Sequence, residues 1–339
     1  MKPIPLINAE HADRVARLIE TAGVPANRYL ERSQISTRVR DDPTGFIPGR
    51  RVWAFVGDVD DREALGDFWL EVAQMSDWRR AGWVRPMVHA ATLRDAIRTM
   101  CVSYVRQIPM NRLGLSADGP ITWFWRRRVP DVHDWDGSEP AEQYTFSFML
   151  EVVRAAAGSA WLPHHLKIES PQSGWGAATK RLHGIHIQYG QPMLAIGIPT
   201  PLLSLPVSIT SHSAPGPAGD EPASDFRGSL RQALRPLLAG RVPSQETAAE
   251  LLCTTPRTLR RRLAEEDTTW RDEIHDLIFE KALLRLEEGR ASVAEIAQDL
   301  GYSRPEHFTR FFRDRMGIPP SAYRAEVEQA RELARRSQS

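Results

Sequence analysis

The chain has 339 residues, 42% of them hydrophobic, and a formal charge of +1. Two domains is the natural expectation at that length, and no apolar run is long enough to span a bilayer. Residues 1–7 hold no long apolar stretch and soon meet His11, Asp13 and Arg14, which excludes a secretory leader, while Cys101 and Cys253 are too few for a disulfide framework. These features predict a soluble, cytoplasmic chain with no membrane partner.

In chain order, Val15, Leu18 and Ile19 lie at helical spacing within residues 9–22, and Gly23 closes the run. Pro48 opens a second region in which Val52, Phe55, Val56 and Val59 predict a helix. Further helices are expected around Phe68, Leu70, Val72 and Met75, and around Leu93, Ile97 and Met100. Between 121 and 128 the period changes to two, with Ile121, Trp123 and Trp125 alternating with Thr122, Phe124 and Arg126, as in a strand. Residues 139–157 return to helical spacing through Tyr144, Phe148, Val152 and Ala156, with Gly158 as the stop. Strands are expected at 163–169, 183–189 and 192–198. Nine of the ten tryptophans fall between Trp53 and Trp175. Aromatics at that density fill cores or line a small-molecule pocket. Residues 211–222, rich in Ser, Pro and Gly, break all periodicity and read as a linker. The expected organisation is a mixed α and β domain over 1–210, a linker over 211–224 and an all-α domain over 225–339. The fold class is α+β.

After the linker, Leu230, Leu234 and Leu237 predict a short helix. One pattern is then written twice. Ala249 to Thr255 is followed by Pro256-Arg257-Thr258-Leu259-Arg260-Arg261-Arg262-Leu263; Ala297 to Ser303 is followed by Arg304-Pro305-Glu306-His307-Phe308-Thr309-Arg310-Phe311-Phe312. Each copy reads as a helix, a tight turn, a hydroxyl and a second helix carrying Arg, the layout of a helix-turn-helix. Thr255 is placed to cap the first reading helix with Pro256 in its first turn. Ser292 with Glu295, and Ser303 with Glu306, fit the capping box, and Thr269 with Asp272 starts a connecting helix over Trp270–Glu288 that ends at Gly289. A helix of that length holds the two reading helices at a spacing suited to successive major grooves, roughly 34 Å apart.

On the first reading helix Leu259 and Leu263 share the inward face, while Arg257, Arg260 and Arg261 point away and Arg262 lies near the boundary. On the second, Phe308 and Phe312 point inward and Glu306 and Arg310 outward. Outward Arg can bond guanine through two parallel hydrogen bonds. Glu306 either accepts from a cytosine amino group or caps its own helix. Arg304, Arg313 and Arg315 read as phosphate contacts or solvated charges. Bulk charge gives no support, because residues 244–339 hold 16 Lys and Arg against 18 Asp and Glu. The duplication, the caps and the connecting helix carry the reading.

These residues resemble the DNA-binding domain of the AraC/XylS family of bacterial transcription regulators. The closing signature is the most diagnostic part: Gly301-Tyr302-Ser303, then Phe308-Thr309-Arg310-Phe311-Phe312-Arg313, Gly317-Ile318-Pro319-Pro320 and Tyr323-Arg324. The resemblance implies base contacts from Arg257, Arg260, Arg261, Glu306, His307 and Arg310, and the full expected DNA-binding set adds Arg304, Thr309 and Arg313. Two positions depart from the family pattern. Cys253 stands where Gly is usual, so a left-handed backbone there is costly, and Ile278 stands where Arg is frequent. Residues 1–210 are similar to the effector domain of the ornithine-regulator-like branch, on Ala91-Thr92-Leu93-Arg94-Asp95-Ala96-Ile97 and on the pattern from Trp161-Leu162-Pro163 to Tyr189-Gly190-Gln191-Pro192. That likeness implies ligand sensing or dimerisation.

Other chemistries find less support. His164, His165, His183 and His186 raise a metal site, yet strand alternation sets His183 opposite His186 and His164 opposite His165. Neither a nucleophile elbow nor a phosphate-cradling Gly-rich loop is present in the sequence. The sequence therefore predicts a non-enzymatic regulator that binds double-stranded promoter DNA as a homodimer. It is expected to answer to an unknown small-molecule effector, to contact RNA polymerase if it activates, and to need no cofactor. The competing reading is an enzyme or metal-binding domain fused to a DNA-binding module.

Overall fold

The computed structural model describes the chain apart from residues 1, 42, 44, 64, 66, 130–136, 172–174, 176–181, 213–221, 239–241 and 337–339. Most of the expected linker, 213–221, and Trp135 thus lie outside the described residues. The chain divides into two compact units, one of Ile4–Ala223 and one of Ser224–Ser339 with Met1–Pro3.

The first unit opens with β1 (Leu6–Asn8) and α1 (Ala9–Thr21), whose start is capped by Asn8 accepting from the Glu10 amide at 2.9 Å. Its end falls where expected, with Gly23 at φ +82. Then come α2 (Ala26–Arg32), β2 (Phe46–Pro48), which pairs antiparallel with β1, α3 (Gly49–Glu63) and α4 (Phe68–Met75). A 3₁₀ segment over Gly82–His89, with Pro86 inside it, precedes α5 (Leu93–Gln107). Neither α2 nor the β1–β2 pair is expected from sequence. Strands of three residues leave too short a pattern to read.

A hairpin follows, β3 (Asn111–Asp118) and β4 (Ile121–Arg128), joined by Gly119-Pro120. Gly119 at φ +57 followed by a proline, whose ring fixes a negative φ, is the pattern of a two-residue primed turn. Only β4 is expected from sequence. Its fully buried face is Thr122, Phe124 and Arg126, while Trp123 and Trp125 cover the other side half-buried. Opposite Trp125 stands Gly114, where an added Cβ would lie 2.4 Å from the indole. Arg126 is buried because Glu169 meets it at 3.0 Å, and Arg128 meets the same carboxylate at 2.6 Å.

The longest helix of this unit, α6 (Ser138–Ala157), is buried almost all round and therefore lies inside the core rather than on it. Its buried Glu142 accepts from the Glu169 and Ser170 amides, the Ser170 hydroxyl and the Trp175 indole. The sheet is completed by β5 (His165–Lys167), β6 (His186–Gln188) and β7 (Leu194–Pro199) in the order β3-β4-β7-β5-β6. All neighbours are antiparallel except β5 and β6. Two of the three expected strands are thus reduced to three residues each. One histidine pair lies beyond the reach of alternation within a strand: the parallel register sets His165 beside His186, ring centroids 5.8 Å apart. Among the described residues no three or more His, Cys, Asp or Glu come together as a metal site. The tryptophans are mostly core, with Trp69, Trp78, Trp83 and Trp175 at 2% exposure or less; Trp53 lines a cavity.

The second unit is all helical: α7 (Phe226–Leu234), α8 (Gln245–Leu251), α9 (Pro256–Ala264), α10 (Trp270–Glu288), α11 (Val293–Asp299), α12 (Pro305–Met316) and α13 (Pro320–Arg336). No helix among the described residues is long and apolar enough to cross a membrane.

Candidate nucleic-acid interface

The two helix-turn-helix units are α8–α9 and α11–α12. Each turn is a Schellman motif. In the first, the Thr254 amide donates to the Ala249 carbonyl and the Cys253 amide to that of Glu250; in the second, Tyr302 donates to Ala297 and Gly301 to Gln298. The left-handed residue is Cys253 at φ +54 in one copy and Gly301 at φ +84 in the other. The non-glycine departure noted in the sequence therefore does occupy the strained backbone position.

Thr255 caps α9, accepting from the Thr258 amide at 3.1 Å, and Pro256 takes the first helical position. Ser292 and Glu295 form the capping box of α11, and Thr269 caps α10 through the Asp272 amide at 3.2 Å. The box expected from Ser303 and Glu306 does not form: Arg304 is the N-cap and makes no side-chain cap bond. The reason is Pro305. Lacking an N–H, proline sits most comfortably at the first helical position, which leaves the residue before it as the cap. In α9 that residue is Thr255. In α12 it is Arg304, because the second unit carries one more residue between turn and helix.

Inward, Leu259 and Leu263 are 1% exposed, and Phe308 and Phe312 are fully buried. Phe312 packs against Phe279 and Tyr323, ring centroids 5.3 and 5.7 Å away. Ile278 on α10 is buried, so its side chain faces the protein interior rather than a polar contact. Outward, Arg257, Arg260, Arg261, Arg304, Glu306, His307, Arg310 and Arg313 are exposed. Apart from a 3.7 Å ion pair of Arg261 with Glu265, none of these side chains has a hydrogen bond or ion pair among the described residues. That single pair is solvated and worth little. Thr309 is half-buried, and its hydroxyl donates to the Pro305 carbonyl at 3.0 Å. Arg262 is turned aside, its guanidinium 4.0 Å from the Phe226 ring centroid. The closing signature anchors α13: Gly317 ends α12 at φ +82, the Tyr323 hydroxyl donates to Glu287 at 2.7 Å, and Arg324 donates to the Ala291 carbonyl at 2.7 Å.

One cluster lies outside the expected set. Glu273 on α10 is fully buried and bonds Arg227 and Arg231 of α7, the second at 2.7 Å, and the Thr268 hydroxyl at 3.0 Å. One turn on, Asp276 takes Arg231 at 2.6 Å, Arg227 at 3.2 Å and Arg315 of α12 at 2.6 Å. Burial works to raise the Asp276 pKa, but the bonds from Arg315 and Arg231 hold it below the usual carboxylate value. Arg315, expected to be solvated or to hold phosphate, is therefore engaged within the unit and lies over the Phe311 ring at 5.3 Å. The sequence signal is Arg227 and Arg231 four apart, facing Glu273 and Asp276 three apart.

Two helix-turn-helix units joined by one helix, in a chain that also carries a mixed α/β unit, define a class of chain rather than a single protein. A family profile described as the arabinose-binding domain of the AraC transcription regulator matches residues 23–207, more than half of this chain, and one described as a helix-turn-helix domain matches residues 248–326. The chain belongs to the AraC family of transcription regulators. It is similar to the ornithine utilization regulator of Pseudomonas aeruginosa, 29% identical over 149 residues, which is 42% of this chain and 44% of that one. It is also similar to the HTH-type transcriptional regulator VqsM of the same organism, 34% identical over 100 residues, or 29% of this chain and 31% of that one. Each match thus spans less than half of the curated relative's length. The crystal structure of the transcriptional regulator CdpR from Pseudomonas aeruginosa aligns over 88% of this chain and 96% of that one, at 18% identity and a TM-score of 0.37.

Proposed function

We propose that residues 225–339 bind a specific site in double-stranded promoter DNA by laying α9 and α12 in successive major grooves. The carrying observation is the outward set on those two helices: arginines held by caps and cores, yet, among the described residues, without partners of their own beyond the loose pair at Arg261. Arg257, Arg260, Arg261 and Arg310 read bases, Arg304 and Arg313 hold phosphates, and His307 and Thr309 add contacts at the groove edge. Glu306, freed from the expected cap, is available to accept from a cytosine amino group. The connecting helix supports this spacing, since its 19 residues extend about 28 Å.

The remaining parts of the reading concern control. Residues 1–210 sense a small molecule, residues 211–224 link the domains, and the chain works as a cytoplasmic homodimer without catalytic activity, contacting RNA polymerase if it activates. A ligand can act only by its differential affinity for two arrangements of the protein. The test is selection of bound sequences from random DNA, with and without a metabolite panel. Recovery of one motif with two half-sites about one helical turn apart is expected; recovery of no motif would overturn the reading.

A further inference from the structure

The five-stranded sheet of the first unit ends in two unlike edges. At one end β6 is three residues long, whereas at the other β3 runs for eight, Asn111–Asp118. An edge strand presents a row of unpaired N–H and C=O groups, and proteins blunt long edges with lysine, proline, a bulge or a covering segment. β3 carries none of the first three, and its register with β4 is unbroken from Asn111↔Arg128 to Asp118↔Ile121. Antiparallel positions alternate between bonding the neighbour and facing away from it. The Val129 amide donates to the Met110 carbonyl in the same register, so the even-numbered residues bond β4 while the main-chain groups of Leu113, Leu115 and Ala117 face outward. Among the described residues these outward groups have no hydrogen-bond partner. From Ser116 to Asp118 the strand is exposed, and Leu115 is half-buried.

We propose that β3 is the pairing edge of a symmetric dimer, in which two copies of this chain join antiparallel about Leu115 and one sheet runs through both. Charge sets the register. Centred on Leu115, the strand puts Arg112 opposite Asp118 of the partner subunit, and the two-fold symmetry repeats the pair. Both residues are exposed. They fall at positions without main-chain bonds across the new seam, where facing side chains come closest. Asp118 accepts from the Trp123 indole through Oδ2 at 3.2 Å, and Arg112 gives Nη1 to the Pro109 and Asn111 carbonyls, so Oδ1 and the rest of the guanidinium remain for the pair. Centred on Leu113, Gly114, Ser116 or Ala117, the strand matches neither charge. The Leu115 register makes about six main-chain bonds, Leu115 to its own copy and Leu113 to Ala117 of the partner subunit. On the other face the two Leu115 side chains meet. A single strand pairing buries less than the roughly 1,000 Å² of a stable interface, so this dimer is weak, with a dissociation constant on the order of 10–100 µM.

The inference rests on the homodimer reading above and names its surface. Sedimentation velocity of the full chain, at concentrations on either side of that constant, tests it. A reversible monomer–dimer equilibrium is expected. Ala117→Pro removes an outward amide without touching the β4 ladder, so it should weaken the dimer at least about tenfold and leave the melting temperature unchanged. Arg112→Asp sets like charges opposite each other twice and should weaken the dimer about tenfold. Adding Asp118→Arg to that variant restores the match and should restore the dimer, which decides the matter if Ala117→Pro also lowers the melting temperature. Hydrogen exchange should slow at the Leu113, Leu115 and Ala117 amides as concentration rises, while Gly114 and Ser116 stay protected throughout. A dimer indifferent to Ala117→Pro and to the charge variants would overturn the proposal and leave the homodimer reading standing. A doubly exchanged chain that melts like the native one yet stays monomeric would overturn the proposal too. A native chain that is monomeric at every concentration would overturn both the proposal and the homodimer reading.

Discussion

Cys253→Gly should stabilise the helical unit. The two Schellman turns provide an internal comparison, since the same backbone position is held by Cys253 at φ +54 in one and Gly301 at φ +84 in the other. An L-residue in the left-handed region costs about 1–2 kcal/mol. Replacing it by glycine recovers that but loosens the unfolded chain, an opposing effect of about 0.4–1 kcal/mol. The side chain itself contributes little, being half-buried with its Sγ 3.8 Å from the Leu251 carbonyl. The net gain is about 0.5–1 kcal/mol, which for a domain near 100 residues raises the melting temperature by about 2–8 °C. Calorimetry of the full chain, following the transition of the Ser224–Ser339 unit, measures it. Gly301→Ala is the reverse experiment and should lower the same transition by a similar amount. An unchanged or lower melting temperature in Cys253→Gly, or a higher one in Gly301→Ala, would refute the backbone argument.

Other outcomes follow from particular contacts. Arg261→Ala and Arg310→Ala should each weaken binding to the selected DNA by about 1–3 kcal/mol and relax preference at one base pair; anisotropy titrations showing equal loss on every sequence would reassign the residue to phosphate. Glu273→Gln should destabilise the helical unit by about 2 kcal/mol in urea unfolding, less than the 3–5 expected for a fully buried pair because Arg227 is 41% exposed; no change would mean the network is not energetically coupled. For pH, burial holds the folded-state pKa of His11 near 3 against an ordinary histidine value of 6.5. The unfolded chain therefore binds the extra proton first, and stability should fall by up to about 1.4 kcal/mol per unit as pH drops from 6.5 towards 3. Urea midpoints across that range should show a steeper slope in the native chain than in His11→Phe, the remaining slope coming from carboxylates such as Asp58 and Asp276 whose arginine partners hold their pKa low.

Legibility in the sequence follows the range of the forces involved. Thr255, Ser292 and Thr269 are readable as caps because a cap acts over three residues, and α5, α6 and α10 because their periodicity is long. The Ser303–Glu306 cap fails on a local competitor, Pro305, which sets the helix start one residue later. In β3 the Asp118-Gly119 turn signal is present but the strand is hidden, since Gly114 and polar residues interrupt its alternation. The expected outward arginines of α9 and α12 are exposed in the structure, and Arg315, exposed as well, is paired with Asp276, 39 residues away. Contacts of that separation leave no periodic trace.

Asp276 has a consequence for how changes are shared within the helical unit. One carboxylate serves guanidinium groups from α7, the first helix after residues 211–222, and from α12, the second reading helix. Arg315 bonds one of its oxygens and Arg227 and Arg231 the other, so the three guanidinium groups share a single charge without sharing an acceptor atom. The start of this unit and the C-terminal end of α12 thus meet at a single side chain, and exchanging Asp276→Asn would remove that shared charge from both at once.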